Sequence, residues 1–422
     1  MRISLLVHGF PPHESAGTEQ HTAMLCSALT NRGHTVQIIN ATRSPGHPHG
    51  TIVSNKNHHR IVNNVSARPL HTCEKDLIIR HHIERLWSVF DPDIIHVQHI
   101  QFLSSDLTFP CPAIMTLHDA WLWCAAGGQE IDQKMKPCPG PDPQKCASCA
   151  PSWSPKLPKR GQFLMRIAQA LHKIIPASKL NQMWHTLPLS LRFSFSHSTQ
   201  KFEPESPIAA KNRNIAMIEL SKKFASIIAP SQYLANRAQE HQVSPVRVLR
   251  HGVQNHKRHI GGDGFLFVGT IAKHKGPHLV YQAHKKSKES HRSLRFYGSL
   301  QTPQLIPEDM WKGIIANHEI CDLFQRADAL IMGSIWPENA PLVIIEAHSV
   351  GCPVIAPRIG GIPELIEEGT NGLLYEPGNI EELAACMSQI VHIPKFDMRP
   401  PLFNSVVEAH LAMYEEHLCT HP

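Results

Sequence analysis

The sequence predicts an α/β protein made of two doubly wound halves, each with a parallel sheet between helices. Short apolar runs alternate with helical patterns along the chain, which is the order expected of parallel strand–helix–strand units. A chain of 422 residues also exceeds what one hydrophobic core usually organises. The basic stretch 255–263 carries neither pattern and separates two such series. We therefore expect an N-terminal half at 1–255 and a C-terminal half at 256–402, with a ligand cleft between them.

The N-terminal half begins with a strand, a loop and a helix. Ile3–Val7 is a short apolar run, Gly9–Gly17 is rich in turn residues, and a helical pattern covers Glu19–Arg32. Gly33 is placed to end that helix, and Thr35–Ile39 is the next predicted strand. Further apolar runs predict parallel strands buried on both faces, at Ile94–Val97, Ala113–Leu117, Ser226–Ile228 and Val246–Leu249.

An insertion at about 124–220 interrupts the N-terminal half. It lacks strand signals from residue 151 onwards and is helical and basic in character. The segment 403–422 has a helical pattern and can pack back on the first half.

The C-terminal half repeats the pattern of strands and helices. Its predicted strands are Phe265–Val268, Leu294–Tyr297, Ala329–Met332 and Pro353–Ala356. Its predicted helices are Pro277–Lys286, Pro341–Val350 and Pro363–Glu368.

Composition narrows the class of protein. The apolar run at the start of the chain is too short for a signal peptide, and no run reaches the length of about 18 apolar residues that a membrane span needs, so we expect a cytoplasmic protein. The net charge of +6 suits phosphate-bearing ligands or an anionic surface. The low aromatic content argues against nucleic acid as a partner. The 31 histidines are interpreted as compositional drift.

The segment 334–347 carries the most information. It follows a predicted strand and opens a helix, with Pro341 at the first helical position. Ala340 would then be the N-cap, and alanine caps poorly, so N–H donors and the positive end of the helix dipole stay free for an anion. Glu338 precedes this start and Glu346 lies a little over two turns further on, so both carboxylates can approach one ligand. Taken alone, two such glutamates are more often an exposed loop acid and a surface helix acid.

The surrounding residues favour a ligand site. With seven residues between its two glutamates, the segment resembles the E-x7-E signature of family-4 retaining glycosyltransferases. The resemblance covers most of the chain and is weakest at 151–212 and 298–318. Further similar stretches are 351–356, 360–366, 371–375, the phosphate-binding loop 267–276, the opening loop 10–19 with its continuation 33–36, and the histidine-bearing strand end 116–119.

The resemblance implies the GT-B fold, in which two Rossmann-like domains face a central cleft and the nucleotide-sugar donor binds mainly to the C-terminal one. It implies that Glu346 hydrogen-bonds the donor ribose, and that Glu338 and His118 face the transferred sugar. Lys275 would neutralise the leaving pyrophosphate, which stabilises the transition state. The helix start would hold the pyrophosphate or sugar hydroxyls through the backbone of Asn339, Ala340, Pro341, Leu342 and Val343.

One position of the phosphate loop departs from the family. The family has an arginine directly after the loop glycine, Gly269, and Thr270 stands there instead. Half of the basic clamp is therefore missing, and Lys273 is the candidate substitute. In the opening loop, Gly17 would let the backbone approach the phosphates without a Cβ in the way. The resemblance implies front-side attack with no divalent metal required for catalysis.

These observations predict a retaining glycosyltransferase that moves a sugar from a nucleotide-sugar donor to a glycan or lipid-linked acceptor, in cell-surface polysaccharide or glycolipid synthesis. Two alternatives stay open, a nucleotide-sugar epimerase and a non-catalytic nucleotide-sugar-binding protein on the same fold. A dinucleotide-dependent enzyme is disfavoured, because residues 8–12 lack the G-x-G-x-x-G turn after the first strand. The donor base, the sugar and the acceptor are not determined by these motifs.

Four cysteines lie close together in the insertion. Only one pair has C-x2-C spacing, and the residues between are rich in proline and glycine. Four thiolates can close a structural zinc site, and a loop with free thiols is the equally weighted alternative. The cysteines are Cys124, Cys138, Cys146 and Cys149.

The same insertion carries a basic amphipathic pattern. Phe163, Ile167, Leu171 and Ile174 recur at helical spacing, and basic residues flank this apolar stripe. Such a helix can associate peripherally with an anionic membrane, at its cytoplasmic face. The alternative is that the stripe packs on the N-terminal half.

Overall fold

The computed structural model describes residues 1–12, 14, 16–42, 44, 47–63, 76–153, 167, 206–254, 257–393, 396 and 399–419. These residues form two sheets covered by helices, so the predicted α/β fold class is confirmed. One sheet lies within residues 2–248 and the other within residues 265–375.

The first sheet has eight strands in the order β3-β4-β2-β1-β5-β6-β7-β8. Every neighbouring pair is parallel except β3–β4 at one edge. The chain leaves β1 toward β2 on one side and later returns on the other side as β5, so the sheet has its topological switch point between β1 and β5. The strands are β1 Arg2–Val7, β2 Thr35–Thr42, β3 Ile52–Asn55, β4 His58–Val62, β5 Ile94–Val97, β6 Ala113–Thr116, β7 Ser226–Ala229 and β8 Val246–Val248.

The second sheet has five parallel strands in the order β10-β9-β11-β12-β13. Its switch point lies between β9 and β11, so the loops that follow these two strands open the crevice of this half. The strands are β9 Phe265–Val268, β10 Leu294–Tyr297, β11 Ala329–Ile331, β12 Val354–Pro357 and β13 Gly372–Tyr375.

Helices cover both sheets, and separate apolar clusters fill the space on the faces of each sheet. Within the described part of the chain, none of the helices combines the length and the apolar content that a bilayer span requires. The described helices are α1 Gly17–Asn31, α2 Leu77–Phe90, α3 Pro143–Trp153, α4 Pro207–Ser221, α5 Gln232–Glu240, α6 Pro277–Lys286, α7 Ile320–Arg326, α8 Leu342–Val350, α9 Ile380–Ile390 and α10 Phe403–Cys419.

The last helix, α10, lies on the first sheet. Its buried residues Val407, Leu411 and Tyr414 share one apolar cluster with Ile3 and Leu5 of β1. The side chain of Tyr414 is fully buried. The sequence predicted a helix here that can pack back on the first half. The C-terminal segment therefore contributes to the core beneath the cleft of the first half.

Two predicted helix boundaries are wrong. Helix α8 has Pro341 as its N-cap, not Ala340, because Pro341 takes an extended backbone (ψ 118°) and the helix begins at Leu342. The predicted helix Pro363–Glu368 is a single 3-10 turn, Ile362–Glu364. Four residues further on, Glu368 forms a β-bridge with Gly372, which is not a helical conformation.

The predicted amphipathic helix of the insertion lies outside the described residues, apart from Ile167. Its association with a membrane therefore stays a prediction.

Candidate active site

The start of α8 is a backbone site without a side-chain cap. Its N-cap, Pro341, accepts no hydrogen bond through its side chain. The first N–H groups of the helix and the positive end of its dipole are therefore available to an anion. Just before it, the Asn339 side chain donates to the carbonyl oxygen of His118 over 3.0 Å. This contact joins the helix start to the first half across the cleft.

A second uncapped helix start lies opposite. Helix α1 begins at Gly17, and its N-cap, Ala16, has no capping side chain. A Cβ on Gly17 would lie 3.7 Å from Cδ1 of Leu342, so the two helix starts approach each other closely. Two positive helix ends at one place form a binding site for a doubly charged group such as a pyrophosphate.

Lys275 and Glu338 form an ion pair at the ends of β9 and β11. Lys275 Nζ lies 2.7 Å from Glu338 Oε1, and the Ser334 hydroxyl donates to the same oxygen over 2.7 Å. Glu338 is 5% exposed, so the pair lies in a largely dry environment. The Lys275 ammonium also lies 4.7 Å from the ring centroid of Trp336. The cation is thus held by one carboxylate and one aromatic face.

The backbone around Glu338 is held by two glycines. The N–H of Gly361 donates to the Glu338 carbonyl over 2.7 Å. A Cβ on Gly360 would overlap the Glu338 carbonyl, and a Cβ on Gly361 would overlap that of Asn339. Only glycines allow this approach, so the motif 360–366 supports the position of the glutamate.

Glu346 lies further along α8 and is partly buried. Burial raises the pKa of its carboxyl to about 7, and no partner among the described residues opposes that shift. A carboxyl in this state has free hydrogen-bonding capacity for a ligand.

Two glycosyltransferase family models match stretches of this chain. Residues 256–400 match the family model described as Glycosyl transferases group 1, and residues 15–136 match the model described as Glycosyltransferase Family 4. The sulfoquinovosyl transferase of Arabidopsis thaliana is 34% identical over 86 residues, which are 20% of this chain and 17% of that protein. The spore coat protein SA of Bacillus subtilis is 33% identical over 127 residues, 26% of this chain and 34% of that protein. The chain thus spans about a third or less of these relatives.

Solved structures align over the whole chain. The sucrose-phosphate synthase of Thermosynechococcus elongatus aligns with a TM-score of 0.59 at 12% identity and covers 99% of both chains. HepE of Anabaena, solved in complex with UDP, aligns with a TM-score of 0.54 at 14% identity and covers 100% of this chain and 97% of that one. The chain has the GT-B fold, and a stretch of each half matches a glycosyltransferase family model. The fold implied by the resemblance is confirmed.

The phosphate loop of this GT-B protein places its two lysines differently. Lys273 and Lys275 lie in one 3-10 turn, but Lys273 is exposed and only Lys275 reaches Glu338. Gly269 follows β9 directly, with its N–H bonded to the carbonyl of Tyr297 over 2.9 Å. At the position where the family has arginine, Thr270 Oγ1 accepts a hydrogen bond from the Ser299 hydroxyl over 3.2 Å.

His118 lies at the edge of a group of imidazoles. Its Nε2 is 2.9 Å from Gln98 Oε1, and its ring stacks on His251 with centroids 5.8 Å apart. Burial and the neighbouring imidazoles hold the pKa of His118 well below its ordinary value. The ring is therefore neutral, suited to hydrogen bonding with a sugar hydroxyl.

This group forms a histidine core in the first half. His96 in β5 bonds the Tyr414 hydroxyl over 2.6 Å and Thr116 over 2.8 Å. The signal that was missed is a histidine inside a strand of otherwise apolar residues. We define the histidine core as His21, His96, His118, His251 and His410, whose rings contact one another.

The four cysteines of the insertion are not gathered into a metal site. Among the described residues, which include all four, no three His, Cys, Asp or Glu side chains are placed to hold a metal ion. Cys124 packs against the core of the first sheet, and burial raises the pKa of its thiol to about 12. Cys138 instead donates to the Gly140 carbonyl over 3.3 Å, and Cys146 packs against an alanine cluster. The zinc site therefore stays a prediction, beside its alternative of a loop with free thiols.

The two halves also meet beside the start of α8. A cavity of about 270 Å³ there is lined by residues of both halves, among them His251 and Ala340. At its wall, the Glu364 carboxylate accepts the backbone N–H groups of Gln232 and Tyr233 over 2.9 and 2.6 Å. An acid of the second half thus binds the N-terminal end of α5, which favours one arrangement of the halves.

Proposed function

We propose that the protein is a retaining glycosyltransferase, which transfers a sugar from a nucleotide-sugar donor to a glycan or lipid-linked acceptor in the synthesis of a surface polysaccharide or glycolipid. The observation that carries this proposal is the position of the Lys275–Glu338 pair beside two uncapped helix starts in one cleft. Positive groups for a pyrophosphate and a buried carboxylate for the sugar are the two elements that such a transfer needs.

Each group then has a distinct role. The backbone from Asn339 to Val343, together with Lys275, holds the pyrophosphate, and Glu346 binds the ribose hydroxyls. Glu338 faces the transferred sugar, where positive charge develops as the bond to the phosphate breaks. That HepE was solved with UDP, and elsewhere with UDP and glucose, supports a nucleotide-sugar donor for this fold.

The step proceeds on one face of the sugar. The bond between the anomeric carbon and the phosphate oxygen breaks, and its electron pair leaves with the nucleoside diphosphate. The acceptor hydroxyl oxygen forms the new bond on the same face, and its proton passes to the departing phosphate oxygen. Lys275 and the helix starts stabilise the charge on that leaving group, while the neutral ring of His118 orients the sugar.

The test is ligand-induced thermal stabilisation with a panel of UDP-, GDP- and ADP-sugars, followed by release of the nucleoside diphosphate. We expect one donor to raise the unfolding midpoint, since a ligand held by the native state alone stabilises it by mass action. Nucleotide release that acceptors accelerate identifies a transferase. Conversion of the sugar without an acceptor identifies an epimerase, and stabilisation without turnover identifies a binding protein. No stabilisation by any donor would contradict the proposal.

The raised pKa of Glu346 predicts that donor binding depends on pH. The pKa of its carboxyl is raised to about 7, so donor binding that needs the carboxylate is strong above pH 7 and weakens as the pH falls through 7. We expect Glu346→Gln to weaken donor binding about tenfold, the scale of one hydrogen bond to a charged group, and to flatten this pH dependence. Titration calorimetry at pH 6 and pH 8 measures both effects. Unchanged affinity at both pH values would remove Glu346 from the donor site.

A further inference from the structure

Helix α5 of the first half receives part of its N-terminal cap from the second half. Its own N-cap, Ser231, accepts the N–H of Leu234 over 3.2 Å. The N–H groups of Gln232 and Tyr233 donate instead to the carboxylate of Glu364, one to each oxygen. The first N–H groups of a helix need acceptors, and the helix dipole favours a negative charge there. The cap of α5 is therefore complete only while the two halves are together.

The backbone of Glu364 is connected to that of Glu338. Glu364 ends the 3-10 turn Ile362–Glu364, which directly follows the two glycines beside Glu338. Its N–H donates to the Gly361 carbonyl over 3.2 Å, and the Gly361 N–H donates to the Glu338 carbonyl over 2.7 Å. A shift of Glu364 relative to α5 therefore also moves Glu338 relative to the first half.

On its other side, α5 is bound to the loop that follows β6. Arg237 in α5 donates to Glu130 Oε1 through Nε over 3.0 Å and through Nη2 over 2.6 Å. Glu130 is 3% exposed and also accepts the indole N–H of Trp123 over 2.9 Å. The same loop carries His118. Helix α5 thus lies between the loop of His118 and the turn that ends at Glu364.

The chain crosses between the halves after β8 and returns before α10. The two crossing segments bind each other, because the Val253 N–H donates to the Pro401 carbonyl over 3.0 Å and the Phe403 N–H donates to the Val253 carbonyl over 2.7 Å. The cavity of about 270 Å³ is lined by both segments and by Glu364, so it leaves space for rotation about this joint. Arg250, in the first segment, lies 3.5 Å from the Glu364 carboxylate but is half exposed, and such ion pairs contribute little.

We propose that Glu364 is a positioning residue, whose contact with the first turn of α5 is a latch that holds the two halves closed. While the latch is formed, the starts of α1 and α8 lie together and hold the phosphates of the nucleotide. When it opens, the halves rotate at the crossing segments and the nucleotide leaves. The effect on the nucleotide rests on the proposed function, whereas the effect on the arrangement of the halves does not.

The experiment compares the wild type with Glu364→Gln and with two matched controls. Glu364→Gln keeps the size of the side chain and removes its charge and one acceptor oxygen. Glu367→Gln makes the same change at an exposed side chain of the same segment. Ser231→Ala removes the other side-chain cap of α5 and leaves the Glu364 carboxylate in place. Small-angle X-ray scattering without ligand measures the radius of gyration, and titration calorimetry and stopped-flow fluorescence measure the affinity and release rate of UDP, GDP and ADP.

We expect Glu364→Gln to have a larger radius of gyration than the wild type, because its halves open. Its affinity for the nucleotide that binds should fall about tenfold, the scale of one hydrogen bond to a charged group, mainly through faster release. Glu367→Gln should match the wild type in all three measurements. Ser231→Ala should lower the unfolding midpoint but keep the radius of gyration and release rate of the wild type.

A measurement on the wild type alone covers the case in which Glu364→Gln does not fold. Saturating nucleotide should slow the hydrogen exchange of the Gln232 and Tyr233 N–H groups, because it keeps the latch formed. Exchange that the bound nucleotide leaves unchanged would contradict the latch.

The failure of the latch differs from the failure of the proposed function. If none of the three nucleotides binds the wild type, the proposed function fails, and the scattering comparison still decides on the latch. Equal radii of gyration for Glu364→Gln and the wild type overturn the latch, whatever the nucleotide does. Release that is as fast in Ser231→Ala as in Glu364→Gln shows that Glu364 only caps a helix, and it overturns the latch as well.

Discussion

Replacing Lys275 by alanine is expected to lower donor turnover about a hundred- to a thousandfold, which corresponds to roughly 2.7–4 kcal/mol of lost transition-state stabilisation. The reason is that Lys275 is the lysine of its turn that reaches Glu338, and Thr270 stands where the family has a second basic group. Its charge must therefore meet the leaving phosphate nearly alone. Steady-state kinetics with the donor identified by thermal stabilisation measure the change in kcat.

The matched control is Lys273→Ala, in the same 3-10 turn but exposed. It should leave kcat within a few-fold of the wild type. Because Lys275→Ala leaves the Glu338 carboxylate, 5% exposed, with Ser334 as its remaining partner, the unfolding midpoint of each variant must be measured alongside. Glu338→Gln in the Lys275→Ala background separates the two contributions, since it removes the uncompensated charge. Equal losses in the two lysine variants would show that Lys273 has taken the place of the arginine.

The elements that the sequence predicts well are those with a strong local pattern. The strand Ile94–Val97 and the helix Pro277–Lys286 have the predicted bounds, because each is a clear apolar run or periodic segment between turn residues. Strands β3 and β4, at one side of the first sheet, were not predicted. Both are short and mix polar with apolar residues, as in His58–Val62, where only Ile61 and Val62 are buried, so neither a long apolar run nor alternation marks them.

The candidate site likewise has a part that its local sequence pattern predicts and a part that it does not. The start of α8 was recognisable because Glu338, Pro341 and Glu346 lie within one segment with a specific spacing. Ala340 was named as the cap instead of Pro341, since the choice depends on one backbone torsion that residue type does not determine.

The histidine core could not be predicted from spacing. Its members come from within β5, from the segments after β6 and β8, and from α1 and α10, and only the fold brings them together. His21 and His410, for example, are nearly the full length of the chain apart and have ring centroids 6.4 Å from each other. In the sequence they are two members of a large set of histidines.

The histidine core leads to the second large effect, a loss of stability in mild acid. Burial lowers the pKa of His21 to about 4 and that of His410 to about 3, against an ordinary value of 6.5, and the charge of His21 adds to the shift of His410. The pKa values of the other three imidazoles of the core are lowered as well. An imidazole that is held neutral when folded binds its proton first in the unfolded chain. Its contribution is therefore fully present above pH 6.5 and is lost as the pH falls from 6.5 towards 4 or 3.

Between pH 6.5 and pH 5, each of these two imidazoles should remove roughly 2 kcal/mol from the free energy of unfolding, a large share of the total for a typical domain. Urea unfolding at pH 7 and pH 5, followed by tryptophan fluorescence, measures the difference. His410→Leu is the informative variant, because the ring of His410 is buried and its Nδ1 has no hydrogen-bond partner within the described part of the chain. We expect His410→Leu to change the free energy of unfolding little at pH 7. At pH 5, the free energy of unfolding of this variant should be about 2 kcal/mol higher than that of the wild type.

The control for this prediction is His291→Gln, since His291 lies on the surface of the second half with its side chain 68% exposed. It should follow the wild type at both pH values. Turnover should fall over the same range, because the carbonyl of His118, at the edge of the histidine core, accepts the hydrogen bond from Asn339 that joins the two halves. A free energy of unfolding that is equal at pH 7 and pH 5, or a loss in His410→Leu as large as that of the wild type, would show that these imidazoles do not control the acid stability of the first half.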